Sequence, residues 1–465
     1  MSKTDTSASS NSPGWAVLTA IMLPVWLAAV DTAIANTALP ALASDLGVSP
    51  AQSVWIVNAY QLAVVACLLP LAALGQRWGE RPIFLLGVLL FTLASLACSL
   101  SGSLPVLTAS RMLQGMGAAG IMTVNLALVR RIYPAHQLGR GVGLNAFVVG
   151  IGYTSGPTLA SLMLSIGPWP WLFAINVPMC AIAIGLGWRH LPQARPEHKA
   201  AQHRFDGALA AVLAFTLASA ALTLNTAAQR NDWVTTSGFG LTCLIGSLWI
   251  ARRQRGQTHL MWPSDLLQKP AFALSVATSL SAFTTQGLAF VGLPFFFEEH
   301  LRRDAMETGF LLSTWALTVA LTGPWAGRLS DRVRPAVLGS SGLLLLAVGM
   351  GLLASLRTDA TALDVMWRMA WCGLGFGLFQ SPNLKAIMSS TPPERNSGGS
   401  AMIALARLSG QTLGASLVAL CFAWLSLQGS QAALWLGCLT ASLAAAFSSL
   451  RLRFDAHMSP KSRGQ

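Results

Sequence analysis

Ionisable side chains set within long apolar runs are the residues of this sequence best placed to do chemistry. One carboxylate, Asp31, lies well inside the run 15–39, and the deep cations are Arg111, Arg368, Lys385 and Arg407. A charge held in hydrocarbon is costly unless it is paired, so each of these marks a candidate site. Asp31 stands eight residues before Leu39 and Arg111 six residues after Pro105, roughly 12 Å and 9 Å along a helix at about 1.5 Å per residue. The two depths match if both are measured from one membrane face, which allows a pair. That pair reads either as a permanent structural ion pair or as a switch. Burial raises a carboxylate's proton affinity and a neighbouring guanidinium lowers it. Movement of one against the other would then make Asp31 bind and release a proton, as coupling to a proton gradient requires. Deprotonated Asp31 would favour, or directly attract, an organic cation. Glu298 and Glu299 end an apolar run and are expected at the outer surface.

Other chemistries find little support. Cys67, Cys98, Cys180, Cys243, Cys372, Cys421 and Cys438 sit in apolar stretches without CxxC spacing and read as small buried residues. The histidines at 136, 190, 198, 203, 259, 300 and 457 all fall in polar connectors, so no intramembrane metal site or histidine relay is expected. No GxxxxGK[ST] phosphate loop is present, and no cofactor is expected.

The elements that must position these charges are membrane helices. Of 465 residues 53% are hydrophobic and 10% charged, with mean hydropathy +0.56. Soluble domains carry roughly 25% charged residues, so a soluble enzyme, a disordered tail or a secreted disulfide scaffold is excluded. Apolar stretches near 15–39, 52–74, 83–102, 105–129, 141–163, 169–188, 207–227, 236–251, 270–297, 308–327, 336–356, 364–388, 399–424 and 431–450 give fourteen expected spans, 236–251 being the shortest. The first is too long for a signal peptide and is read as a retained helix. With the N-terminus cytoplasmic, inside connectors hold 22 of the 30 Lys and Arg and outside connectors only Arg230, Arg302, Arg303 and Arg357. The net charge of +13 therefore reports topology and lipid contact and not nucleic acid.

An internal repeat organises the spans. RMLQGMGAAGIMTVN opens at Arg111 and RMAWCGLGFGLFQSPN at Arg368; Gln76-Arg77 corresponds to Asp331-Arg332, and Gly156 to Gly414, at offsets of 255–258. A near-constant offset means two six-span halves with two additional helices between them. Parallel halves meeting at a midplane cavity are a transporter architecture. The expected division is a tail 1–14, a six-helix bundle 15–188, a connector with two helices 189–269, a second bundle 270–450 and a tail 451–465.

These residues resemble the major facilitator superfamily, and within it the fourteen-span drug:proton antiporter branch of EmrB/QacA type. VDTAIANTALP (30–40) is similar to the family's L-D-x-T-x-x-N-x-A-L-P, and LTASRMLQGMGAAG (107–120) to its R-x-x-Q-G-x-G. Gly143, Gly152, Gly156 and Pro157 have the spacing of its antiporter motif. The resemblance implies an all-α integral membrane fold of two six-helix bundles plus two central helices. It also implies a latch in the connector after span two, where an aspartate helps hold the cytoplasmic side closed. Here that connector has Gln76 and Arg77 with Glu80 where a base is expected, whereas the second copy keeps Asp331 and Arg332.

Asn58, Gln61, Asn125, Gln286, Gln380 and Asn383 are polar positions expected to face the cavity, with interhelical hydrogen bonding as the alternative. Related cation exporters often carry a second carboxylate where Asn58 stands, which argues against obligatory dications. The implied activity is proton-driven export of lipophilic, often cationic, antimicrobial compounds by alternating access, with no enzymatic reaction. A dedicated metabolite exporter or facilitator is the second reading, and a non-transporting sensor or scaffold the third. The expected partners are a small molecule, protons and the bilayer, for a monomer in a bacterial-type inner membrane with both termini cytoplasmic. A periplasmic adaptor is left open.

Overall fold

A computed structural model describes residues 14–134, 137–192, 207–228, 233–254, 264–391, 396–425 and 428–455, and all its regular elements there are helical. The first half comprises α1 (Trp15–Thr37), a short α2 (Leu39–Asp45), α3 (Pro50–Trp78), α4 (Glu80–Ser99), α5 (Leu104–Ile132), α6 (Leu138–Ile166), α7 (Trp171–Ala174) and α8 (Asn176–His190). Then come α9 (Gly207–Ala228), α10 (Trp233–Gln254) and α11 (Ser264–Leu267). The second half holds α12 (Pro270–Phe295), which runs into a π-helical turn at Phe296–His300, then α13 (Ala305–Leu329), α14 (Pro335–Ala354), α15 (Ala362–Ser389), α16 (Asn396–Leu425) and α17 (Gly429–Asp455).

Local signals set the ends. Ser49 and Gln52 form a capping box ahead of Pro50, and Asp304 accepts from the Glu307 amide at 2.7 Å to start α13. Gly79, at φ +94°, makes the one-residue turn between α3 and α4, a conformation that a side chain would strain. Along α4, Leu86, Leu89, Leu93 and Leu96 form an exposed stripe at helical spacing, the face a lipid-contacting helix presents.

Eleven helices among the described residues are long and apolar enough to cross a membrane. Three further helices are of span length: α9, whose 22 residues are mostly Ala, Leu and other apolar types, and the more polar α13 and α15. α15 carries Arg368, Gln380, Asn383 and Lys385 within its length, and α13 is rich in Thr and Trp. The expectation of fourteen spans is thus met by eleven on that criterion.

Lipid is as apolar as a protein core, so close approach of small residues and interhelical polar bonds must hold these helices together. They do so twice over. α1 packs on α6 and α8, α3 on α5, and α4 on α5 and α8; correspondingly α12 packs on α16 and α17, α13 on α15, and α14 on α15 and α17. Gly87 backs onto the Gly117 carbonyl as Gly342 backs onto that of Gly375, and Gly115 lies over the Tyr60 carbonyl as Gly373 lies over that of Trp315. The halves meet through α3 on α16, α6 on α13 and α1 on α12, and α9 packs on α3 and α16 at one of these seams.

The end bearing Arg77, Arg130, Arg131, Arg328 and Arg332 is the basic end. Hydrogen bonds between the halves lie between the midplane and the opposite end: Thr158 Oγ1 to Ser313 Oγ at 2.7 Å, Asn58 Nδ2 to Ser416 Oγ at 3.1 Å and Thr412 Oγ1 to Gln61 Oε1 at 3.2 Å. An apolar cluster with Val30, Ile34, Leu288, Phe295, Val418 and Phe422 fills the same end.

Candidate functional site

Asp31 and Arg111 come together as the depth arithmetic predicts. Arg111 Nη1 donates to Asp31 Oδ2 at 2.5 Å. Oδ1 of the same carboxylate accepts from Gln114 Nε2 at 2.7 Å and from Asn176 Nδ2 at 3.0 Å. Ser95 Oγ accepts from the same two amides at 2.9 and 3.4 Å. Arg111 also donates from Nη1 to Gln114 Oε1 at 2.5 Å and from Nε to the Ile56 carbonyl at 3.1 Å, with its guanidinium 4.3 Å above the Tyr60 ring. Helices α1, α3, α4, α5 and α8 each contribute to the network. Asp31 and Arg111 are both 1% exposed.

A buried ion pair persists only where further hydrogen bonds satisfy its remaining donors and lone pairs, and this network supplies them. Both carboxylate oxygens are engaged, so a cation between the halves does not reach Asp31 unless the network opens. Gln114 was readable from the sequence, because the spacing R-x-x-Q places two side chains on one helical face. Asn176, Ser95 and Tyr60 carried no such signal; they arrive from α8, α4 and α3.

The polar residues expected at the cavity divide. Asn58 and Gln61 are buried and bonded across the α3–α16 seam. Asn125 is bonded within its own half, Nδ2 to Asn145 Oδ1 at 2.6 Å. Asn383 is buried inside the second half, donating to Ser279 Oγ at 2.7 Å and accepting from Arg451 Nη1 at 2.7 Å, which places it in packing and not on a cavity wall. Gln286 is half-buried and accepts from Gln411 Nε2 at 2.9 Å. Gln380 is exposed.

In the antiporter motif, a Cβ on Gly152 would stand 2.8 Å from Ala29 Cβ, and one on Gly156 would overlap Ala33, so these glycines let α6 lie against α1. Gly143 has open space around it. Pro157 lies inside α6, which continues without interruption from Leu138 to Ile166.

At the basic end, Lys385 Nζ pairs with Asp331 Oδ1 at 2.5 Å, joining α15 to the connector after α13. In the first half Arg131, at the end of α5, pairs with Glu80 at 3.0 Å, joining the corresponding helix to the corresponding connector. Glu80 therefore supplies an anion four residues after Gln76, across the Gly79 turn. Gln76 lies in α3, its side chain outside the described residues; Arg77 and Arg332 are exposed.

Comparison with known proteins agrees with this architecture. Residues 21–415 match the family model described as Major Facilitator Superfamily. The chain is 42% identical to the uncharacterized transporter YebQ of Escherichia coli K12 over 94% of its length and 95% of that protein's. It is 29% identical to the riboflavin transporter RibZ of Clostridioides difficile, over 88% of each chain. With the multidrug resistance protein Stp of Mycobacterium tuberculosis it shares 30% identity, over 88% of this chain and 76% of that one. A repeated six-helix packing scheme, an all-helical membrane body and a family match across most of the sequence lead to one assignment: the chain is a multi-pass membrane transporter and belongs to the major facilitator superfamily.

Proposed function

We propose that this transporter is a proton-coupled exporter of lipophilic small molecules, of the EmrB/QacA type, in which Asp31 is the coupling carboxylate and Arg111 its switching partner. The observation that carries the reading is the Asp31–Arg111 network itself: the deep carboxylate on α1 is bonded by Arg111 and Gln114 of α5 and Asn176 of α8, and these are tied in turn to α3 and α4, so movement of α1 against α5 or α8 changes its partners. Parting Arg111 from Asp31 would take away the carboxylate's counter-ion, and that is the change a coupled proton would answer. The name of the relative Stp supports drug-like cargo.

By the positive-inside rule the basic end is cytoplasmic, the protein is an inner-membrane one, and both termini face the cytoplasm. The hydrogen bonds between the halves at the opposite end then make the present arrangement inward-facing. Alternating access would rock 15–188 against 270–450 along the α3–α16, α6–α13 and α1–α12 contacts, with α9 riding at the α3–α16 seam, and the pairs Glu80–Arg131 and Asp331–Lys385 setting the shape of the cytoplasmic connectors. RibZ, named as a riboflavin transporter, favours a second reading in which one dedicated metabolite is carried. Proteoliposome transport of a dye panel with and without a pH gradient tests the proposal. Accumulation against a concentration gradient only when protons flow down theirs supports it. Equilibration alone, indifferent to the pH gradient, contradicts it.

A further inference from the structure

Resting on the exporter reading, we infer that the cargo is an amphiphilic organic anion, received by the guanidinium of Arg407. Arg407 lies close to the midpoint of α16 and is half-buried. Its Nη2 donates to Tyr153 Oη at 2.5 Å, and its guanidinium carbon stands 5.1 Å from the centre of the Tyr153 ring. Tyr153 belongs to α6 in the other half. α6 packs on α1 and α13, whereas α16 packs on α3, α9 and α12, so this bond reaches across the space between the halves. Among the described residues it is also the deepest of the hydrogen bonds between the halves seen from the closed end, so it lies at the floor of that closed end, facing the basic one.

The charges decide what such a cavity accepts. Among the described residues no carboxylate pairs with Arg407, and a phenol is a neutral acceptor that leaves its charge uncompensated. Asp31, among the described residues the one carboxylate at comparable depth, is committed to Arg111, Gln114 and Asn176. A cation entering from the basic end therefore meets an unbalanced positive charge, and an anion meets its counter-ion. The guanidinium fork matches a carboxylate or phosphate bidentately, and in a low-dielectric cleft such a pair is strong. Arg407 is too deep for a lipid headgroup, which confines the occupant to a molecule taken into the cavity. One turn further on, Gln411 Oε1 is buried without a partner while its Nε2 holds Gln286 Oε1. These amides add hydrogen-bonding capacity beside the fork for the rest of a polar head. Tyr153 then holds Arg407 in place until cargo replaces the hydroxyl.

Two xanthene dyes of opposite charge test the inference on the purified full-length protein. Fluorescein is anionic and pyronin Y cationic at neutral pH, and binding of each is read by fluorescence anisotropy. The wild type should bind fluorescein more tightly than pyronin Y. Arg407→Gln should weaken fluorescein by about tenfold or more and remove the preference. Arg407→Lys, which keeps the charge and serves if the glutamine variant does not fold, should retain a preference for the anion. A wild type that favours pyronin Y, that binds neither dye, or whose fluorescein affinity is untouched by Arg407→Gln overturns the inference. Energised vesicles separate the two readings. Charge-dependent binding without gradient-driven dye movement sinks the exporter reading and leaves the anion site standing. Gradient-driven movement of pyronin Y that ignores Arg407→Gln does the reverse.

Discussion

Replacing Arg111 by Met removes its bond to Asp31 at 2.5 Å, its bond to the Ile56 carbonyl at 3.1 Å and its contact with Gln114, and leaves a carboxylate inside the protein without its counter-ion. Breaking a buried ion pair from one side costs about 3–5 kcal/mol. Asp31→Asn should cost a similar amount, since it strands the guanidinium among Tyr60, Ile56 and Gln114. The double variant Asp31→Asn/Arg111→Met removes both charges, and the remaining amides of Gln114 and Asn176 can bond Asn at position 31. Its expected cost is below that of either single variant, a departure from additivity of about 3 kcal/mol or more. Equilibrium unfolding of the four proteins in one lipid–detergent mixture measures this, with transport assayed in parallel. The double variant should regain stability and still fail to move cargo against a gradient. Single effects that add to within about 0.5 kcal/mol would refute the energetic argument. Gradient-driven transport by the double variant at the wild-type rate would show the pair to be structural and end its coupling role.

The connectors and the antiporter motif supply further expectations. Glu80→Gln and Asp331→Asn should each lower transport more than Gln76→Ala; each loses one solvent-facing ion pair worth about 0.2–1 kcal/mol, a shift of up to about fivefold between facing states, read by cysteine accessibility at the cytoplasmic end. Equal effects of Gln76→Ala and Glu80→Gln would remove the assignment of the anion to Glu80. Gly156→Leu should stop export or make it leaky while the protein still reaches the membrane, because a side chain there enters Ala33 and parts α6 from α1 at a cost of about 1–3 kcal/mol. Gly143→Ala, in open space, should change stability by no more than about 0.5 kcal/mol; equal destabilisation by the two substitutions would contradict the packing account.

Much of this architecture is legible in one dimension because hydrocarbon makes charge conspicuous. Asp31 and Arg111 stand out in apolar runs, and a fixed rise per residue converts their positions into depths. The repeat is legible because equivalent helices meet through the same glycine contacts, which preserves small residues at fixed offsets. What the sequence hides depends on tertiary contact. Asn176 reaches Asp31 from 145 positions away, and Tyr153 reaches Arg407 from 254, so no local spacing announces either. Asn383 is the instructive case: a polar residue on a cavity-side helix is equally at home in an interhelical bond, and packing around Arg451 decides the matter. The pairing of Glu80 with Arg131 likewise needs the end of α5 brought beside the α3–α4 turn.

The measurement closest to the central claim is the stoichiometric link between protons and cargo in proteoliposomes holding wild type or Asp31→Asn, using whichever xanthene dye the wild type moves. Wild type should accumulate dye under an imposed pH gradient and, on addition of dye, should discharge that gradient. Asp31→Asn should still exchange dye for dye down its own gradient, yet neither accumulate it nor move protons. Accumulation by Asp31→Asn at the wild-type rate, with protons flowing, would contradict the account.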